Sequence, residues 1–174
     1  MLFRSATHCG SCSACLDVCP TQAFTGPWQL DARRCIAYLT IELQGSIPED
    51  MRASIGNRVF GCDDCQLVCP WNRFAQPSRE RDFAPRHGLD TATLVDLFGW
   101  SEEDFGTRMA GSPLYRLGHT RWLRNIAVAL GNGPSTDAAV AALAARLGHP
   151  EELVREHALW AWQRLQERRK NASR

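Results

Sequence analysis

Over Thr120–Leu130 the apolar positions Leu123, Ile126, Ala127 and Leu130 recur with a period near 3.6, which predicts an amphipathic helix stopped by Gly131-Asn132-Gly133. Ser135 or Thr136 can cap a following Ala-rich helix over Asp137–Leu147, ended by Gly148. Pro150 suits the start of a last helix, where its missing N–H costs little, and that helix sets Val154, Ala158, Ala161 and Leu165 along one stripe. Upstream, Asp90 or Thr91 can cap a short helix through Phe98, and Ser101 with Asp104 has the spacing of a capping box.

The first part of the chain, residues 1–75, reads differently. Its alternation is weak, turn signals recur at Thr25-Gly26-Pro27 and Ile47-Pro48, and the apolar run Ile36–Leu43 suits strand or helix equally. Residues 76–105 form a connector with short helices, polar and turn-rich around Pro77, Pro85 and Gly88. Residues 106–174 read as antiparallel helices with short links, a stacked helical-pair unit of the HEAT type. Too small for a free solenoid, this unit is expected to pack on the part before it.

Composition adds limits. Hydrophobic residues at 44% and charged residues at 22% suit a folded protein and exclude wholesale disorder. A chain of 174 residues should bury about 70% of its unfolded surface, so its core needs no disulfides. The longest strictly apolar run, Ala138–Ala145, is far short of the roughly 20 residues that span a bilayer. Met1–Gly10 lacks the apolar stretch of a secretory signal, so a cytoplasmic protein with no membrane partner is expected. The net charge of +1 predicts no strong overall field.

Eight cysteines change the picture, because all of them lie within Cys9–Cys69. In a reducing compartment they point to metal or catalysis before disulfides. Cys9, Cys12, Cys15 and Cys19, followed by Pro20, carry the spacing of the bacterial ferredoxin run. Three such cysteines wrap corners of one cubane, and the fourth, turned away beside proline, ligates another. The second run, Cys62, Cys65, Cys69 and Pro70, lacks a first cysteine because Val59 stands there, which leaves Cys35 to complete the count. Crossed ligation therefore predicts one 4Fe–4S cluster on Cys9, Cys12, Cys15 and Cys69, and a second on Cys19, Cys35, Cys62 and Cys65. Two structural zincs would also use eight thiolates, but four cysteines in eleven residues ending in proline is unusual for zinc. The expected fold class is mainly α, with α+β character in a ferredoxin-like two-cluster domain, followed by the small HEAT-like domain.

Smaller signals are read more plainly. His8 is expected at the surface, Trp71 packed over a cluster, and Asp63 and Asp64 as helix N-terminal charges. Between Asp104 and Asp137 there is no carboxylate side chain, whereas Arg108, Arg116, Arg121 and Arg124 lie there with His119, Tyr115 and Trp122. Arginines among aromatic residues suit RNA phosphates and bases, although a solvated helix face has the same composition. Trp122 is expected in the core.

The stretches CGSCSACLDVCPTQAF, LDARRCIAYLTIEL, IGNRVFGCDDCQLVCPWN and GSPLYRLGHTRWLRNIAVALGN together resemble the epoxyqueuosine reductase family over nearly the whole chain. The resemblance implies reduction of the epoxide of epoxyqueuosine at the tRNA wobble position. It implies two 4Fe–4S clusters feeding electrons to a cobalamin cofactor, a tRNA anticodon stem-loop as substrate and a reductant protein as donor. It places Cys62, Asp63 and Ala37 on the cobalamin side. It puts Tyr38, Thr40 and Glu42 towards the substrate, and it turns the four arginines towards tRNA phosphates. The family also carries an upstream corrinoid-binding domain with the proton donor. No catalytic residue is therefore expected in this chain, which is expected to be inactive unless a separate corrinoid-binding domain is supplied. The other reading of the same cysteines is a free-standing two-cluster electron carrier.

Overall fold

The structure, a computed structural model, describes residues 11–172. Cys9 and His8 lie outside the described residues. The chain is mainly helical, as expected. A short α1 (Ala14–Asp17) leads into an antiparallel hairpin of β1 (Phe24–Gly26) and β2 (Gln29–Leu30), the one sheet among the described residues. A 3-10 turn over Ala32–Arg34 follows, capped by the Asp31 side chain on the Arg33 N–H. The ambiguous apolar run then resolves as a π-helical turn over Tyr38–Glu42. After it come α2 (Glu49–Ile55) and α3 (Asp64–Leu67), the latter packed against α1.

The helical half consists of α4 (Leu94–Phe98), α5 (Glu102–Met109), α6 (His119–Asn132), α7 (Asp137–Ala144) and α8 (Glu152–Ala172). Ser101 and Asp104 close the expected capping box on α5. Helix α4 starts later than expected. Thr93 caps it, with Asp96 as reciprocal partner, because residues 88–91 are already used in a turn closed by the Thr91 N–H on Gly88. Thr136 caps α7, whose last residues tighten into three-residue turns before Leu147.

Val154, Ala158, Ala161 and Leu165 are fully buried on α8, facing α6 and α7. Each buried Val or Leu of such a stripe contributes about 1.5–3 kcal/mol. Gly131 allows α6 and α8 to close up, since a Cβ there would sit 2.8 Å from the Ala161 Cα. Leu97, Phe98, Trp100 and Phe105 belong to this same core, with Trp122 stacked on Trp100. Residues 97–105 therefore pack into the same core as the helices after residue 106, with Leu89 and Ala92 half-buried against it.

The two halves share α6. From Trp122 to Gly131 every residue of this helix is buried, because one side meets α4, α5 and α8 while the other meets the cysteine-bearing half. Val128 lies in a second core with Ile36, Leu39, Ile47, Met51 and Ile55. Arg52, buried beside it, donates to the Ile47 carbonyl and pairs with Glu156 of α8.

Candidate metal centre

Four cysteines from three separate stretches line one cavity of about 80 Å³: Cys19, Cys35, Cys62 and Cys65. Pro20 redirects the chain after Cys19, the 3-10 turn delivers Cys35, and Gly61 precedes Cys62 in a left-handed conformation at φ +78°. The remaining walls are mostly apolar, from Ala23, Phe24, Leu30 and Ile36. Among the described residues no three His, Cys, Asp or Glu side chains converge tightly enough for a single metal ion. A tetrahedral zinc would need its sulfurs about 3.8 Å apart. A cubane takes one terminal thiolate at each of four corners, and four cysteines lining a common cavity suit that donor set.

Electrostatics match a cationic occupant. Burial pushes the Cys65 thiol up, and the neighbouring Cys62, Cys35 and Cys15 push it further. Burial likewise raises Cys62, with the Asp64 carboxylate adding to it while Arg58 opposes. Crowded thiols of this kind stay protonated unless a metal core offsets their charge, and ligation deprotonates them. Cys19 differs. Burial works against its ionisation, but the Ala23 N–H at 3.3 Å and the Thr21 side chain bring its pKa below the ordinary thiol value. N–H donors on a ligand sulfur also tune cluster potential.

The other predicted cluster is only partly described. Cys12 and Cys15 line a more open cavity of about 250 Å³ with Phe24, Pro27 and Trp28, and Cys69 ends the segment after α3. Trp71 is half-exposed and lies against Phe74. Asp63 occupies the N-cap position of α3 and Asp64 its first turn, where Asp64 pairs with Arg58.

Of the residues expected to face RNA, two are corrected. Arg124 has 0% exposure and spends its guanidinium on the carbonyls of Leu39, Leu43 and Gly45 at 2.7–2.9 Å, and on the Asn125 side chain. Burial, and then Arg121 nearby, lower its pKa to about 10. It cannot reach a phosphate. Thr40 is equally buried, its hydroxyl donating to the Ile36 carbonyl and accepting from the Gly61 N–H.

Arg121 is half-buried and already donates to the carbonyls of Leu117, Ile41 and Arg116. Arg116 stays exposed and pairs with Glu42 at 2.5 Å, which joins two of the expected RNA-side residues. Arg108 is also exposed, over the Trp100 ring at 4.9 Å and 3.8 Å from Asp104. Tyr38 is half-buried, as are Ala37 and Cys62, while Asp63 is exposed. Sequence reasoning missed Asn125, Arg52 and His157. The available signal was an Arg-Asn pair, Arg124-Asn125, inside an otherwise apolar helix, where acid-free polar groups are as well matched to buried carbonyls as to an anion.

Residues 8–72 match the 4Fe-4S double cluster binding domain family. The chain is 66% identical over 157 residues to the epoxyqueuosine reductase of Pseudomonas aeruginosa, covering 90% of this chain and 44% of that protein. It superposes with a TM-score of 0.83 and 34% identity on a solved epoxyqueuosine reductase of Bacillus subtilis, covering 92% of this chain and 43% of that one. A solved epoxyqueuosine reductase bound to an epoxyqueuosine-modified tRNA-Tyr stem loop gives a TM-score of 0.81 at 34% identity, covering 90% and 42%. The chain thus spans less than half the length of the relatives it matches.

Proposed function

We propose, on the premise that this chain belongs to the epoxyqueuosine reductase family, that it is the part of such an enzyme that carries two 4Fe–4S clusters and meets the tRNA substrate. The observation that carries the reading is the single cavity lined by Cys19, Cys35, Cys62 and Cys65, the set that crossed ligation requires. Cys9, Cys12, Cys15 and Cys69 would hold the other cluster.

The chain's own residues have three tasks on this reading. The thiolates hold the iron. The Ala23 N–H and the Thr21 hydroxyl stabilise charge on Cys19. The apolar wall of Ala23, Phe24 and Ile36 would limit water around a cluster held there, which would supply one-electron transfer. Cobalamin, which the family resemblance implies, would supply the reductive chemistry at the epoxide. Ala37, Cys62 and Asp63 keep accessible surface on which it could be met. A reductant protein would load the clusters. RNA contact falls to Arg108 and Arg116, with Glu42 and Tyr38 beside the reacting nucleoside. Because the chain spans less than half of its relatives, turnover is proposed for it together with the corrinoid-binding part of the family sequence.

The test is anaerobic reconstitution with iron and sulfide, followed by metal analysis and EPR. About eight irons and eight sulfides per chain are expected, with two reduced-cluster signals. Two zincs and no acid-labile sulfide would overturn the reading.

A further inference from the structure

The two ligand segments lying outside the ferredoxin run, Cys35 and Cys62, are tied together by two side chains that touch neither thiol. Thr40 Oγ1 donates to the Ile36 carbonyl at 2.7 Å and accepts from the Gly61 N–H at 2.9 Å. Asn125 Nδ2, from α6, donates to the Thr40 carbonyl at 2.7 Å and to the Val59 carbonyl at 2.8 Å. Each bond lands within three residues of Cys62 or five of Cys35, and the Cys35 carbonyl itself accepts the Leu39 N–H at 2.9 Å. Gly61, held by Thr40, is the left-handed residue from which the Cys62 side chain departs.

The π-helical turn explains why this is possible. Its wider winding leaves carbonyls out of the usual ladder, and Arg121, Arg124 and Asn125 on α6 take up those of Ile41, Leu39, Leu43 and Thr40. Thr40, Arg124 and Asn125 are buried, and the Thr40–Ile36 and Asn125–Thr40 bonds are buried while those to Gly61 and Val59 are part-buried, so water replaces the buried pair only at a cost. We infer that Thr40 is a positioning residue for the cluster on Cys19, Cys35, Cys62 and Cys65. Its hydroxyl links the Cys35 and Cys62 backbones, and α6 holds it in place through Asn125. The inference rests on the two-cluster reading above. It deepens that reading by assigning the spacing of two ligands to a residue that is neither a ligand nor a substrate contact.

The variant that isolates the hydroxyl is Thr40→Val, nearly equal in shape but unable to accept from Gly61 N–H. In the full chain, reconstituted anaerobically, it should shift the EPR signal and midpoint potential of one cluster or lower iron from about eight towards about four per chain. The affected cluster is identified as the one that Cys35→Ala removes. Thr40→Ser, which keeps the hydroxyl, should restore both signals. Unchanged potentials and spectra for both clusters in Thr40→Val would sink the inference, as would loss of both clusters with the helical circular dichroism, which marks a general folding contact. If the wild-type chain itself takes up no clusters, it is the two-cluster reading that fails.

Discussion

The backbone N–H of Ile47, in the cysteine-bearing half, donates to Nε2 of His157 on α8 at 3.1 Å, while Nδ1 of the same ring donates to the Leu153 carbonyl at 2.8 Å. The acceptor role of Nε2 requires the neutral imidazole. Around the ring stand Arg52, Glu156 and, further off, Arg124. Burial, followed by the Arg52 charge, brings the His157 pKa down to about 4.

Stability should therefore depend on pH through this residue. Between the unfolded value near 6.5 and the folded value near 4, the unfolded chain binds the proton that the folded one refuses. The contribution is complete above pH 6.5 and is lost as pH falls towards 4. Glu156, whose pKa is also lowered because the Ser46 and Arg52 bonds outweigh its burial, loses its contribution in the same direction at more acid pH. Anaerobic urea unfolding at pH 7.5 and 5 should show the loss. His157→Gln should reduce the difference between the two pH values, and an undiminished difference would assign it elsewhere.

Arg124 should behave as a structural residue. Arg124→Leu leaves the carbonyls of Leu39, Leu43 and Gly45 buried or part-buried without their donor, at about 1–3 kcal/mol for each such group. Loss of several kcal/mol is expected by denaturant midpoint. Arg116→Ala, at an exposed pair, should stay within about 0.5 kcal/mol of the parent.

RNA binding should show the reverse order. With Arg124 withdrawn and Arg121 committed to carbonyls, the salt dependence of stem-loop binding rests on Arg108 and Arg116. Replacing both by Ala should flatten the log–log salt slope by roughly 1.5 units. Glu42→Gln, which frees Arg116 from its carboxylate, should tighten binding at low salt. A salt titration by anisotropy measures each, and a slope unmoved by the double variant would remove this face from the RNA contact.

Cys35→Ala should remove one cluster and spare the other. Iron falling to about half, with one EPR signal retained, is the expected result. Full iron content in this variant would mean that Cys35 is not a ligand and that crossed ligation does not hold.

The cysteine spacing, the Ser101–Asp104 capping box and the stripe on α8 are readable as local patterns, whereas the Thr93–Asp96 box is not, because residues 88–91 offer a competing cap. Ligand counts, caps and helical periods depend on residues within a few positions of each other, so Cys62-x-x-Cys65, Ser101 with Asp104, and Val154 with Ala158 declare themselves without a partner. The roles of Arg124, Thr40 and His157 were not readable in this way. An arginine in an acid-free run looks the same whether its counterpart is a phosphate or a set of carbonyls some 80 residues away, and tertiary packing chose the carbonyls. The irregular winding of Tyr38–Glu42 follows from the same cause. Helix α6 offers donors that satisfy carbonyls an ordinary helix would satisfy itself, so the turn can widen without leaving buried polar groups unpaired.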